Sequence, residues 1–398
     1  MKELSRVASA VQASTTLAID AMFKQMKADG VDVIGFGAGE PDFNTPEHIK
    51  EAGIAAIRQN KTKYTPSSGI LELRRAVCSR LATDYGVTYE PSQIVAASGA
   101  KHNVFAALQA LVNPGDEVII LAPYWVSYYE LVKMAGAVPV IVTATEADGF
   151  QVTPRQLKAA ITPKTKALLL NNPSNPTGMV YEKPALEAIA KLCVEEDLYV
   201  IADEIYDKLV YDGLQFTSFV TLGEDVRERT ILINGVSKSY AMTGWRIGYS
   251  ASNGQIAKVM TNFLSHSTAA PSSISQWAAA EALGGSQDTV EEMRRQFEER
   301  RNYLVERMNR IDGVSCIRPQ GAFYVMMNME KLRGKTLGGI VMNGSDDFAR
   351  AFLERGLVAV VPCSGFGADS FVRWSYATSM ENIKEGLDRL ERFLRDHV

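Results

Sequence analysis

Cysteine and histidine are scarce: 398 residues carry four of each. Cys78, Cys193, Cys316 and Cys363 are scattered without metal or redox spacing. They give no disulfide framework and read as buried or incidental thiols of a reducing cytoplasm. His48, His102, His266 and His397 form no ligand pattern, so no metal is expected. No apolar run approaches the length of a membrane span, and the first six residues lead into no apolar signal core. No membrane partner and a cytoplasmic location are therefore expected. Charge of one sign is not in excess either. A formal net charge of -4 gives no electrostatic reason to expect nucleic acid or an anionic membrane as partner. Internal repeats and low-complexity segments are also missing.

What is present is an ordinary globular composition, 46% hydrophobic and 22% charged. The chain exceeds the about 250–300 residues at which single cores stop growing, so more than one domain is expected. Residues 1–45 read as an arm and part of a small domain: a mixed helix around 17–27, a short strand over 31–37, and a turn imposed by Pro41 and its small neighbours. Residues 46–285 read as a large domain. It opens with helical patterns from 46 and over 71–85. Apolar β-rich runs follow at 94–97, 118–121, 138–142, 167–170, 198–202 and 230–233, with a seventh candidate at 246–249. Helical patterns at 101–111, 125–134, 154–160 and 183–196 lie between most of them. That alternation predicts an α/β fold with a mostly parallel seven-stranded sheet covered by helices. Residues 286–398 read as a smaller α+β domain, with a long charged helix over 289–310, strands near 321–327, 358–361 and 371–375, and a closing helix at 381–395. Within it, 331–345 reads as a mobile surface loop.

The chemistry centres on residues 234–248. Lys238 lies between Ser237 and Ser239, just past the apolar run 230–233. That is the end of a strand where α/β sheets place their ligands. Arg246 is near enough in sequence to share the pocket, and its planar fork suits a phosphate. A nucleophilic lysine beside an anion site points to a Schiff base with a phosphorylated aldehyde cofactor. Ser-Lys-Ser by itself reads more readily as a solvated loop, so the weight rests on what accompanies it.

Four further stretches supply complementary groups. Ser98-Gly-Ala-Lys101 follows a strand and opens a helix, where free N–H donors and a partial positive charge favour an anion. Trp125, in a loop after a strand, offers an aromatic face to a planar ring, although a packed tryptophan is the plainer alternative. Asn171-Asn-Pro-Ser-Asn-Pro-Thr-Gly178 has two Asn-Pro pairs that fix an extended turn and hold the Asn175 amide at a strand end. Asp203 ends an apolar strand and is costly to bury unpaired, so it either meets a cation or caps a helix. A protonated pyridine nitrogen is one such cation, and Tyr206 lies three residues on. In the C-terminal part, Arg373 suits a carboxylate gripped by two parallel hydrogen bonds; an exposed structural arginine is the alternative.

Together, Asn-Pro-Thr-Gly, Asp-Glu-Ile-Tyr and Ser-Lys-Ser-Tyr-Ala-Met-Thr-Gly-Trp-Arg resemble the fold-type I aminotransferases that use pyridoxal 5′-phosphate, in their bacterial aspartate aminotransferase branch. The resemblance runs from Ala38-Gly-Glu-Pro-Asp-Phe43 to Tyr376-Ala-Thr-Ser379. It implies Lys238 as Schiff-base lysine and proton carrier, Asp203 on the pyridine nitrogen, and Tyr206 and Asn175 on the ring oxygen. Trp125 is implied to stack on the ring. Arg246, Ser237, Gly99, Ala100 and Lys101 are implied to hold the phosphate, and Gly39, Asn175 and Arg373 to receive the substrate carboxylate. Lys101 is also the candidate for a distal carboxylate, since a cation at a helix N-terminus is otherwise disfavoured. Tyr64 is implied to reach the phosphate of a neighbouring subunit, which means a homodimer with shared active sites. The expected reaction is ping-pong transamination between L-aspartate and 2-oxoglutarate. An aromatic or alanine aminotransferase, or a β-lyase, would use the same groups. A transcription regulator with such a domain would need a DNA-binding extension ahead of motifs that here begin within the first 40 or so residues. Gln12 stands where relatives that transaminate prephenate carry a basic residue, which argues against prephenate.

Overall fold

The computed structural model describes residues 2–11 and 15–397. Gln12, which carries the expectation about prephenate, lies outside the described residues.

After a two-residue strand β1 (Ile34–Gly35), seven strands build one sheet. They are β2 (Ile94–Ala97), β3 (Glu117–Ala122), β4 (Val138–Thr143), β5 (Thr165–Asn171), β6 (Tyr199–Asp203), β7 (Thr230–Gly235) and β8 (Gly248–Ala251), in the order β2-β8-β7-β6-β5-β3-β4. β4, β3, β5, β6 and β7 run parallel. β8 is antiparallel to both β7 and β2. The reason is the link between β7 and β8, which contains only one short 3-10 turn, Thr243–Trp245. A parallel return is usually carried by a crossover helix, and with none in this link the chain comes back antiparallel.

Side chains alternate between the two faces of the sheet. Val118, Ile120, Ala167, Leu169 and Ile201 pack on one side in a cluster with residues of the helices Ala100–Leu111 and Gly254–Ser267. Ile119, Leu168, Leu170, Val200 and Ala202 pack on the other, with the helix Lys183–Glu195. Central strands buried on both faces explain why their sequence reads as continuous apolar runs rather than as alternation.

The C-terminal part follows the helix Asp288–Met308. It holds β9 (Ser315–Cys316), β10 (Tyr324–Asn328), a hairpin of β11 (Thr336–Leu337) and β12 (Ile340–Val341), then β13 (Val358–Ala359), β14 (Val361–Pro362), β15 (Phe371–Ser375) and the helix Met380–His397. An antiparallel sheet runs β14-β15-β10-β9, while β13 pairs in parallel with β1 of the arm. Ile34 and Phe36 of the arm share one core cluster with Val358, Trp374 and Leu387, and Ile205, Tyr206 and Leu209 join it from just beyond β6. On that packing we propose 46–285 and 286–398 as the two folding units, with the 1–45 arm attached to the second.

Residues 331–345 lie largely at the surface, as expected, but form an anchored hairpin rather than a loop without strands. The β11–β12 hairpin turns at Gly338 and Gly339, whose φ angles of +57° and +86° suit glycine. Leu332, Leu337 and Met342 anchor it with no exposed surface. Its strands are two residues each, too short for alternation to register in the sequence.

β8 passes very close to the start of the helix Ala100–Leu111. A Cβ at Gly248 would lie 2.2 Å from the Ala100 nitrogen, and one at Gly99 (φ +94°) would lie 2.3 Å from Arg246 Nη2. The contact at Gly248 is with backbone, so neither element yields cheaply. Gly248→Ala should therefore lower stability by about 1–3 kcal/mol in denaturant titration. Gly254→Ala, where no atom lies within 4 Å, should stay within about 0.5 kcal/mol. Equal effects at the two positions would refute this account of the close approach.

Candidate active site

The C-terminal ends of the parallel strands open onto one cavity of about 650 Å³. β3 leads into Trp125, β5 into Asn171 and Asn175, β6 ends in Asp203, and β7 leads into Ser237 and Lys238. Gly39 of the arm, and Tyr324 and Arg373 of the C-terminal part, complete the wall. This follows from topology: parallel strands present all their C-terminal ends on one edge.

Asp203 is 3% exposed. Its Oδ2 accepts the Tyr128 hydroxyl at 2.7 Å and its Oδ1 accepts the Ile205 N–H at 3.3 Å. Burial pushes its carboxyl up to about 6, against those two hydrogen bonds and the charge of Lys238. Between a usual carboxylate value and 6 the folded protein binds the proton that the unfolded chain has released. This group therefore takes stability away as pH rises through that window. The residues after Asp203 form turns rather than a helix, so it is not a helix cap. No ion pair to Asp203 is present among the described residues.

The Lys238 ammonium donates to the Gly39 carbonyl. Burial lowers its pKa to about 8; Glu40 and Asp203 oppose the shift, while Arg373 and Arg246 add to it. Arg246 takes a left-handed conformation, φ +56°, a strained backbone of the kind that collects at ligand clamps. Its Nη1 donates to Thr243 O at 2.8 Å and its Nη2 to Ser98 O at 3.1 Å. The guanidinium thus lies across the start of the helix Ala100–Leu111, whose cap residue Gly99 contributes no side chain. A backbone N–H terminus and a fixed guanidinium together form an anion seat.

Arg373, on β15, is 5% exposed. Nη1 donates to Asn175 Oδ1 at 2.9 Å and Nη2 to Gly37 O at 3.1 Å. The guanidinium lies 4.3 Å from the Tyr324 ring centre and 5.2 Å from that of Phe366. Its Nε is buried without a hydrogen-bond partner, and no carboxylate pairs with it among the described residues. An unpaired buried cation is costly, and an anionic ligand would relieve that cost. The Tyr206 and Tyr324 hydroxyls lie 3.1 Å apart. Lys101 Nζ is 4.8 Å from the Trp125 ring centre, and its pKa is lowered first by burial and then by Arg246.

Of the residues singled out in the sequence, Gly39, Ala100, Lys101, Trp125, Asn175, Asp203, Tyr206, Ser237, Lys238, Arg246 and Arg373 line this cavity. Gly99 stands behind it at the helix cap. Tyr64 does not join them: it is 97% exposed. Sequence reasoning missed Tyr128, the hydroxyl on Asp203. Its one signal was its position one helical turn beyond Trp125, which brings it edge-on to that ring at 5.3 Å. Among the described residues no group of His, Cys, Asp and Glu could hold a metal ion, and no helix is long and apolar enough to cross a membrane.

Known proteins carry the same architecture. Residues 31–390 match the family described as aminotransferase class I and II. An aspartate aminotransferase of Bacillus sp. (strain YM-2) is 49% identical over 397 residues, spanning 99% of this chain and 100% of that protein. The crystal structure of the aspartate aminotransferase from Rhizobium meliloti superposes with a TM-score of 0.96 at 40% identity, covering 100% of both chains. The Thermus thermophilus aspartate aminotransferase with maleate gives a TM-score of 0.93 at 42% identity, over 99% of this chain and 100% of that one. With a family match over most of its length and a relative half identical from end to end, the chain belongs to the class I and II aminotransferases.

Proposed function

We propose that the cavity holds pyridoxal 5′-phosphate and transfers the amino group of L-aspartate to 2-oxoglutarate by a ping-pong route. The observation that carries this reading is Asp203, a carboxylate buried at the end of the central strand with no cation paired to it among the described residues. When bound, pyridoxal 5′-phosphate supplies an electrophilic carbon and a cationic ring that draws electrons from the substrate Cα. The residues present fit it. Arg246, Ser237 and the helix start at Gly99, Ala100 and Lys101 would hold its phosphate, Asp203 its ring nitrogen, Tyr206 and Asn175 its ring oxygen, and Trp125 one face.

The chain's own groups do the rest. Lys238, with a pKa of about 8, sheds its proton readily enough to act as a base near neutral pH and to return a proton at the next position. Tyr128 fixes the orientation of Asp203 and leaves the carboxylate ionised toward the cavity. Arg373 and Asn175, already joined by a hydrogen bond, offer a carboxylate a preformed seat with Gly39, and Asn175 Nδ2 is not committed by that bond. The Thermus relative's maleate is a dicarboxylate, which agrees with a second cation, Lys101, at the far end of the substrate.

The site is also read as shared between two copies of the chain. Ile54 and Ile57, on the helix Glu47–Arg58, stay 36% and 53% exposed, and Tyr64 projects from the loop that follows. A homodimer would cover that apolar surface and bring Tyr64 of the partner subunit to the phosphate.

Two measurements test these roles. In the cofactor-free protein, trace labelling of Lys238 by an amine-selective reagent, read by mass spectrometry, should rise with pH to a midpoint near 8. With its pKa lowered, the amine is protonated and inert below that value and free above it. A midpoint near the ordinary lysine value of about 10.4 would remove Lys238 as the base. Lys101→Ala should reduce kcat/KM for aspartate and 2-oxoglutarate by about 10- to 150-fold while leaving alanine and phenylalanine nearly unchanged. An equal loss for every substrate would make Lys101 a phosphate ligand alone and turn the assignment toward the aromatic or alanine reaction.

A further inference from the structure

Gln276 lies in the helix Ser273–Gly284 with no exposed surface. Its amide is fully engaged, and none of its partners is on its own helix. Oε1 accepts the Ile70 N–H at 2.7 Å, while Nε2 donates to Thr65 Oγ1 at 3.0 Å and to Pro271 O at 2.9 Å. It thereby ties the polar connection 61–70 to the turn that precedes its own helix. The same connection is pinned at two other points. Ser68 O accepts the Ala96 N–H of β2 at 3.0 Å, and Arg74 Nε donates to Gly69 O at 3.1 Å. Gly69 takes φ +93°, and a Cβ there would come within 2.8 Å of Ala96 Cβ and 3.2 Å of Gln276 Oε1.

The root of this loop is therefore fixed on all sides, while Tyr64, one residue before Thr65, is 97% exposed. An apolar side chain of the same size would fill the position without needing partners, and a buried amide is costly unless every group is satisfied. What the amide adds over such a side chain is the placement of backbone. We propose that Gln276 is the positioning residue for Tyr64: it holds the 61–70 connection so that Tyr64 meets the phosphate seat of the neighbouring subunit, and so acts on a site its own chain does not contain. This rests on the shared-site homodimer proposed above.

Hybrid dimers test it, because Lys238→Ala silences one site and leaves a single live one. That live site takes Lys238 from one chain and Tyr64 from the other. Gln276→Met placed on the Lys238→Ala chain should lower kcat/KM of the live site and its retention of pyridoxal 5′-phosphate by about 3- to 10-fold. The same substitution on the chain that keeps Lys238 should leave the live site within about twofold of the parent hybrid. Thr65→Val, which deletes one hydroxyl at a half-buried position, should give the same asymmetry at smaller size and serves if Gln276→Met does not fold. Losses that fall equally on both arrangements, or follow the chain carrying Lys238, would make Gln276 merely structural and overturn the proposal. Tyr64→Phe in the same two arrangements separates this from the reading beneath it. If Tyr64→Phe is asymmetric and the clamp variants are not, only the Gln276 inference fails. If Tyr64→Phe shows no asymmetry, the shared site fails and the inference with it.

Discussion

A carboxylate buried at the end of the middle strand of the sheet is the constraint around which the cavity is arranged. Asp203 closes β6, the fourth of seven strands in order, with β5 and β7 on either side. Being last on that strand, it has few protein groups left to satisfy it: the Tyr128 hydroxyl, the Ile205 N–H, and the field of Lys238. Desolvation outweighs them, so the carboxyl stays well above its usual range. The backbone around it is held firmly, since Asp203 O accepts both the Asn171 side-chain amide at 2.9 Å and the Asn172 N–H at 3.1 Å. The strand order then sets the rest of the chemistry, bringing Lys238 from β7 and Asn175 from β5 to the same edge.

The second half of the site depends on a seam between the sheet and the C-terminal part. Arg373 reaches Asn175 and Gly37, Lys238 reaches Gly39, and Thr243 donates to Glu40 at 2.6 Å. Farther out, Arg300 pairs with Asp42 at 2.7 Å and lies 5.0 Å from the Phe43 ring centre. Hydrogen bonds to charged groups are worth about 1.5–3 kcal/mol each when well desolvated. Two of those at this seam, from Arg373 and Lys238, use backbone carbonyls of the 37–39 segment rather than carboxylates. The arm, placed by the pairing of β1 with β13, is thus a structural wall of the site. Among the described residues neither Arg373 nor Lys238 forms an ion pair with a carboxylate. A cavity built this way is electrostatically prepared for anionic ligands.

The fold was legible in the sequence wherever burial on both sheet faces left unbroken apolar runs, as at Leu168–Leu170 and Ile231–Ile233, and wherever a motif joined strand to helix, as at Gly99. The antiparallel β8 was not, because its direction follows from the lack of a crossover helix in the preceding link rather than from its own residues. The 331–345 hairpin escaped because two-residue strands carry no periodicity. Within the site, Lys238 and Asp203 could be named because charge at or just past the end of an apolar strand is conspicuous, and the arginines because a guanidinium fork suits a phosphate or a carboxylate. Tyr128 could not: a tyrosine in an amphipathic helix is ordinary until the helix is set against β6. Gln276 was invisible for the same reason, since its partners lie as far as 211 residues away in the chain. Tyr64 stands exposed in the single chain, and the role proposed for it involves a second copy.

The central claim is that Asp203 is kept ready for a cation on the ligand. Infrared difference spectra between wild type and Asp203→Asn would read its carboxyl directly, in the cofactor-free protein and after addition of pyridoxal 5′-phosphate. The account predicts a protonated carboxyl that ionises with a midpoint near 6 in the free protein, and a carboxylate that stays ionised from about pH 5 to 8 once the cofactor is present. A midpoint that does not move on adding the cofactor would contradict it.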